Sequence, residues 1–246
     1  MLKQPAWLDF GSSRRRLQFI WDDARVDEDF TGDASEVLSA ALRMSVRARM
    51  VLAVGFFEWI VWRFDGLHER TEPTDVLEAA WCACVDPRYL NHYEFKRDEW
   101  EGPIEGPLWC AMAYLQHGLP KGYDLEGDLY DALELLYLLA AHVVPQDAQL
   151  ERWLGPILQR LVQHYPLDEQ TEIAFDDLFD HRVGERLGVL IGRDTLDPNL
   201  PLDPVRDRIF LGAVLAEAHN MGNPFVASPE DLEEQGFEGA HYSVTP

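Results

Sequence analysis

Apolar residues recur along this chain at helical rather than alternating spacing. Between positions 128 and 144, Leu129, Tyr130, Leu133, Leu135, Leu136, Tyr137, Leu138, Leu139, Val143 and Val144 wrap apolar surface around most of a helix. A helix that is apolar on nearly every side belongs in the middle of a core. It is too short, and too interrupted by Asp131, Glu134 and His142, to span a bilayer. The run 50–62 (MVLAVGFFEWIVW), with Glu58 inside it, reads as a second core helix. Across 146–165, Leu150, Trp153, Leu154, Ile157, Leu158, Leu161 and Tyr165 keep clean amphipathic spacing, with a kink expected at Gly155-Pro156.

The remaining pattern fills in around these. A helix is expected over 12–26, started by Ser12 or Ser13, with a short strand at 17–21 as the competing reading. Ser35 precedes one long helical pattern that runs to about Phe64 and stops at Asp65-Gly66. Further helices are expected over 76–85, over 108–117 with Pro107 as its first residue, over 172–191 and over 205–219, with a turn of helix at 229–234. The two pairs Gly102-Pro103 and Gly106-Pro107 read as turns. Short connections place 108–117 and 146–165 antiparallel to 128–144. The expected fold is all-α, a single domain over 1–246 with about eight helices arrayed around a buried central helix at 128–144. Its ends, 1–11 and 228–246, are expected to be loosely attached.

Charge changes the picture from architecture to partners. The chain carries 44 acids against 21 bases, a net of −23, which repels nucleic acid and anionic membranes and either draws in basic proteins or simply keeps a Trp-rich surface soluble. Three cysteines, Cys82, Cys84 and Cys110, make no disulfide framework, and free thiols suit a reducing compartment. The first residues show no apolar run flanked by basic residues and a cleavage site, so a cytoplasmic location is expected.

Candidate chemistry is sparse. Asp176, Asp177 and Asp180 sit in FDDLFDH on an expected helix, with Asp176 and Asp180 four apart on one face where they could hold a hard divalent cation. This DDxxD stretch resembles the aspartate-rich metal motif of class I terpene and prenyl synthases. The resemblance implies magnesium held against a substrate diphosphate. Those enzymes need a second cluster, and the nearest echo here, Asn199, Asp203 and Asp207, is broken by Pro201 and Pro204. Cys82, Cys84, Cys110, His92 and His117 are zinc-type ligands without zinc-type spacing, so the cysteines read as small core residues. Stretches of the GxSxG, HExxH, P-loop and GxGxxG types are absent, and no cofactor is expected. His142 lies on the polar stripe of 128–144, where a hydrogen-bonded structural histidine outweighs a base. Trp100, between Glu99 and Glu101, reads either as an exposed interface anchor or as a cover for the core.

Two functional readings follow. The first is an acidic helical protein-binding domain that neutralises a basic partner, most concretely a cytoplasmic bacterial immunity protein or antitoxin blocking a toxin effector such as a nuclease. It has no catalytic residues and acts as a monomer or homodimer. Its expected partner-binding residues are Asp22, Asp23, Asp27, Glu28, Asp29, Trp100, Glu101, Asp176, Asp177, Asp180 and Glu185, with a further acidic stretch at 230–238. The alternative is an all-helical divalent-metal enzyme using the DDxxD stretch at 176–180.

Overall fold

The computed structural model describes residues 2–10, 16–28, 30, 32–119, 127–167 and 187–244. Among these the fold is all-α: eight α-helices, short 3-10 turns, and no strand beyond two isolated bridges, Met44 with Pro166 and Leu90 with Val226. The helices are α1 (Ser35–Ala41), α2 (Val46–Phe64), α3 (Glu72–Ala83), α4 (Gly102–Gly118), α5 (Gly127–Val143), α6 (Leu150–His164), α7 (Pro204–Met221) and α8 (Pro229–Glu234). One continuous hydrophobic cluster runs through all of them.

The middle of that cluster is α2. Every one of its residues from Val46 to Phe64 is buried, as expected for 50–62. Helix α5, expected as the hub, packs on α2, α4 and α1, and keeps one side facing outward. Asp128, Asp131 and Ala141 of α5 are exposed, and Tyr130, Leu135, Tyr137 and Leu138 are half-buried. Helix α6 does not form a three-helix centre with α4 and α5. It packs on α1, and its Trp153 ring meets Phe56 and Trp59 of α2.

The expected single helix from Ser35 to Phe64 is two helices. Ser45 caps α2, its hydroxyl accepting from the Ala48 amide at 3.4 Å. The chain around it is claimed by another segment: the Ser45 amide donates to Tyr165, and the Leu167 amide donates to Arg43. Tertiary pairing here overrides local periodicity.

A helix buried on all sides should carry no charge, yet α2 holds Arg47, Arg49, Glu58 and Arg63, each at most 3% exposed. The arginines close other helices. Arg47 donates to the Cys84 and Val85 carbonyls after α3 at 2.8 and 3.0 Å, Arg49 to Ala41 at the end of α1 at 2.9 Å, and Arg63 to Val143 at the end of α5 at 3.1 Å. Helix C-termini present orphan carbonyls and partial negative charge, so a guanidinium is matched to each. Desolvation still pushes Arg47 down to about 10.

Other expectations are revised. Of the expected helix at 12–26, residues 12–15 lie outside the described residues and 16–25 form no helix, with a 3-10 turn at Val26–Glu28; Phe19 and Trp21 pack against the core while Ile20 is 77% exposed. Helix α4 begins at Gly102 rather than Leu108 and contains both prolines, Pro103 in its first turn and Pro107 inside. Of the expected helix at 172–191, residues 172–186 lie outside the described residues, and 187–191 are not helical. Parts of both ends expected to be loose pack onto the rest of the chain. Trp7 stacks on Trp153 at 5.3 Å, and Leu8 and Phe10 are buried. At the other end Tyr242 stacks on His219 at 4.0 Å and donates to Ala227 at 2.6 Å.

Candidate partner-binding face

The first acidic stretch is docked onto the start of α4 by Asp23. Its Oδ2 accepts the Gly102 amide at 2.7 Å, and its Oδ1 accepts Arg97 Nη2 at 2.6 Å and Trp21 Nε1 at 2.7 Å. Burial alone would raise this carboxyl, but the bonds from Gly102, Trp21 and Arg97 outweigh it and hold Asp23 below the usual range. Trp21 comes so close to α4 that any side chain at Gly106 would overlap its indole nitrogen. Asp22 turns back to accept the Ala24 amide at 2.9 Å. Glu28 pairs with Arg25 at 2.6 Å, an exposed pair that contributes little.

This docking brings 22–28 beside 98–105, although about 75 residues separate them. Asp22, Glu28, Asp98, Glu99 and Glu101 are all exposed there. Glu101 precedes the first residue of α4 and its side chain caps nothing. The bases within the face are occupied: Arg97 by Asp23, Arg70 by Glu105 at 2.6 Å, and Lys96 by Glu99 at 3.6 Å.

Trp100 is not an exposed anchor. It is 1% exposed, packed against Phe95 at 5.3 Å with Arg70 over its ring at 3.9 Å. A large apolar ring next to a preformed aromatic layer gains more from burial than from standing in water. Trp100 therefore supports the acidic face from beneath.

The other expected residues are not gathered here. The backbone of Asp27 lies in the 3-10 turn, while Asp29, Asp176, Asp177, Asp180 and Glu185 lie outside the described residues. Of the acidic stretch at 230–238, residues 230–234 lie in α8, where Asp231 closes a capping box with Ser228, and no hydrogen bond or ion pair among the described residues joins the stretch to the first face.

Among the described residues no group of three or more His, Cys, Asp or Glu is arranged to hold a metal ion, and Asp176, Asp177 and Asp180 of the alternative reading lie outside them. Asp203 is spent capping α7, accepting from Val205 and Arg206. Cys82, Cys84 and Cys110 are buried, and burial pushes the Cys84 thiol up to about 12, far from a reactive thiolate. His142 Nε2 lies 2.7 Å from the Ile20 carbonyl, with its ring against Phe19 and Phe30.

Two buried carboxylates were invisible as sites in the sequence. Glu58 is fully buried and receives Arg193 on both oxygens at 2.7 and 2.6 Å, Trp81 at 2.7 Å and Trp62 at 3.2 Å. Every lone pair direction is used, so this is a structural lock rather than a base. Asp207 is the opposite case. It is 2% exposed under the 3-10 turn Arg193–Leu196, and neither oxygen has a well-formed hydrogen bond among the described residues. Desolvation pushes its carboxyl up to about 6, against a weaker pull from the Gly192 amide. A methyl group at Gly192 would lie 2.6 Å from Asp207 Cα, which accounts for the glycine. The fourfold satisfaction of Glu58 had no local signal, because Arg193 is 135 residues away.

No protein-family model, no curated protein and no solved structure matches this chain. No helix among the described residues is long and apolar enough to cross a membrane.

Proposed function

We propose that the chain is a protein-binding domain that neutralises a basic partner, in its most concrete form a cytoplasmic bacterial immunity protein or antitoxin that blocks a cationic effector such as a nuclease. The observation that supports this reading is the convergence of two acidic stretches, 22–28 and 98–105, on one face whose own bases are already paired. An inhibitor of this kind needs no catalytic group. It needs carboxylates held on a rigid scaffold, so that their field steers a positively charged partner into contact before short-range packing takes over. Asp23 fixes the loop and Trp100 fixes the floor, and the net charge of −23 supplies the long-range attraction.

The chain used as bait in producing cells at low salt should retain a basic protein, and that protein's toxicity or nuclease activity should fall when the chain is added back. Charge reversal by Asp98→Lys with Glu101→Lys should weaken retention without altering the fold. Failure to retain any basic partner at low salt, or retention unchanged by that reversal, would sink the reading.

A further inference from the structure

Residues 92–95 run across α4 and leave a cleft of about 300 Å³ next to the acidic face. Tyr93, Phe95 and Trp109 form its walls, Ala113 lies between them, and Glu94 and His117 stand at its rim. The walls are held rigidly. The side-chain amide of Gln116 accepts from the Tyr93 amide at 2.7 Å and donates back to the Tyr93 carbonyl at 2.5 Å. The Tyr93 hydroxyl donates to Met112 at 2.7 Å, and the Trp109 indole donates to Phe95 at 2.9 Å. The polar ends of the walls are thus spent inside the protein, and what they offer to a ligand is ring surface.

The rim carries one exposed carboxylate, Glu94, beside His92 and His117, and His117 lies 3.6 Å from Asp128. Arg97, paired with Asp23, already covers part of the Trp109 ring, so the negative pull on a ligand comes from Glu94, Asp128 and the net charge of the chain. An anionic ligand meets these carboxylates and the net field of the chain, and a wholly apolar one leaves the rim without a counter-charge. A flat cation on an apolar stem satisfies both parts of the cleft. Guanidinium fits better than ammonium, because it is more weakly hydrated and stacks on aromatic rings. The local chemistry already shows the pairing, since Arg97 lies over the Trp109 ring at 5.0 Å and Arg70 over Trp100 at 3.9 Å.

We infer that this cleft takes an arginine side chain of the basic partner, giving the acidic face a preference for arginine-rich over lysine-rich surfaces. This rests on the reading of the chain as a binder of basic proteins. The face supplies charge-driven attraction that treats both cations alike, and the cleft supplies the discrimination.

The test uses the full chain and four probes: N-acetyl-arginine amide, N-acetyl-lysine amide, hexa-arginine and hexalysine. The indole N–H resonance of Trp109, assigned with Trp109→Phe, should shift with the arginine amide and not with the lysine amide. Hexa-arginine should bind with a Kd about three- to fivefold below that of hexalysine. Filling the cleft by Ala113→Leu should bring that ratio close to one while leaving hexalysine binding in place, and Glu94→Gln, which needs no repacking, should reduce it. Equal Kd values in the wild type, or a ratio that persists in both variants, would overturn the cleft. If hexalysine fails to bind while the arginine amide still shifts Trp109, the cleft stands and the acidic-face reading falls. If no probe shifts Trp109, the cleft falls whatever the peptides do.

Discussion

Asp207 is 2% exposed and its oxygens find no well-formed hydrogen bond among the described residues, which has a measurable consequence. Its proton is held up to about 6 against an ordinary value of 3.8, so the folded protein binds a proton more tightly there than the unfolded chain. The stabilisation from that proton is complete below pH 4 and is lost as pH rises through 6. Asp207→Asn should therefore raise the melting temperature at pH 7.5, by an amount equivalent to about 2 kcal/mol, and the gain should vanish below pH 4. A gain that does not depend on pH would show that the carboxylate finds a partner in solution. Glu58 behaves in the opposite way. Arg193→Ala strands a carboxylate that is 0% exposed, and should cost about 3–5 kcal/mol in urea unfolding, largely recovered when Glu58→Gln is added. Neither role was legible in the sequence. Glu58 reads there as an interruption in an apolar run, and Asp207 as a member of a broken acidic echo, because their surroundings come from segments more than a hundred and about fifteen residues away.

Helices with strong internal signals were readable, and those that depend on neighbours were not. The amphipathic spacing of α6 and the core character of 50–62 follow directly from side-chain periodicity. The break between α1 and α2 and the early start of α4 are set by long-range bonds, Ser45 to Tyr165 in one case and Gly102 to Asp23 in the other. The acidic residues of the face can be named from the sequence, but not their convergence, and nothing local to Trp100 shows that Phe95 and Arg70 enclose it. The docking of 22–28 hangs on few contacts. Asp23→Ala removes acceptors from the first amide of α4 and from Arg97, and should cost about 1–2 kcal/mol. Limited proteolysis should then cut the segment near Ala24, whereas the wild type resists; equal resistance would mean that Trp21 alone holds it.

For the protein as a unit, the surplus of 44 acids over 21 bases sets how it meets other molecules. Association with a basic partner should slow about tenfold or more between low and physiological ionic strength, while dissociation changes little, because screening acts on the approach more than on the packed contact. Stopped-flow measurements at several salt concentrations separate the two rates, and a salt-independent association rate would remove electrostatic steering from the account.

The three buried arginines of α2 tie the opening of one helix to the fraying of three others. Arg47, Arg49 and Arg63 close the ends of α3, α1 and α5, so these helices lose their terminal partners together if α2 leaves. Partial opening then leaves three sets of carbonyls uncovered and a row of guanidinium groups unanchored, which makes intermediate states costly. Native-state hydrogen exchange should accordingly show the last turns of α1, α3 and α5 exchanging at the same free energy as the middle of α2, as one cooperative block. Terminal amides of those helices exchanging far more readily than α2 would show that the arginines merely decorate helix ends that were already secure.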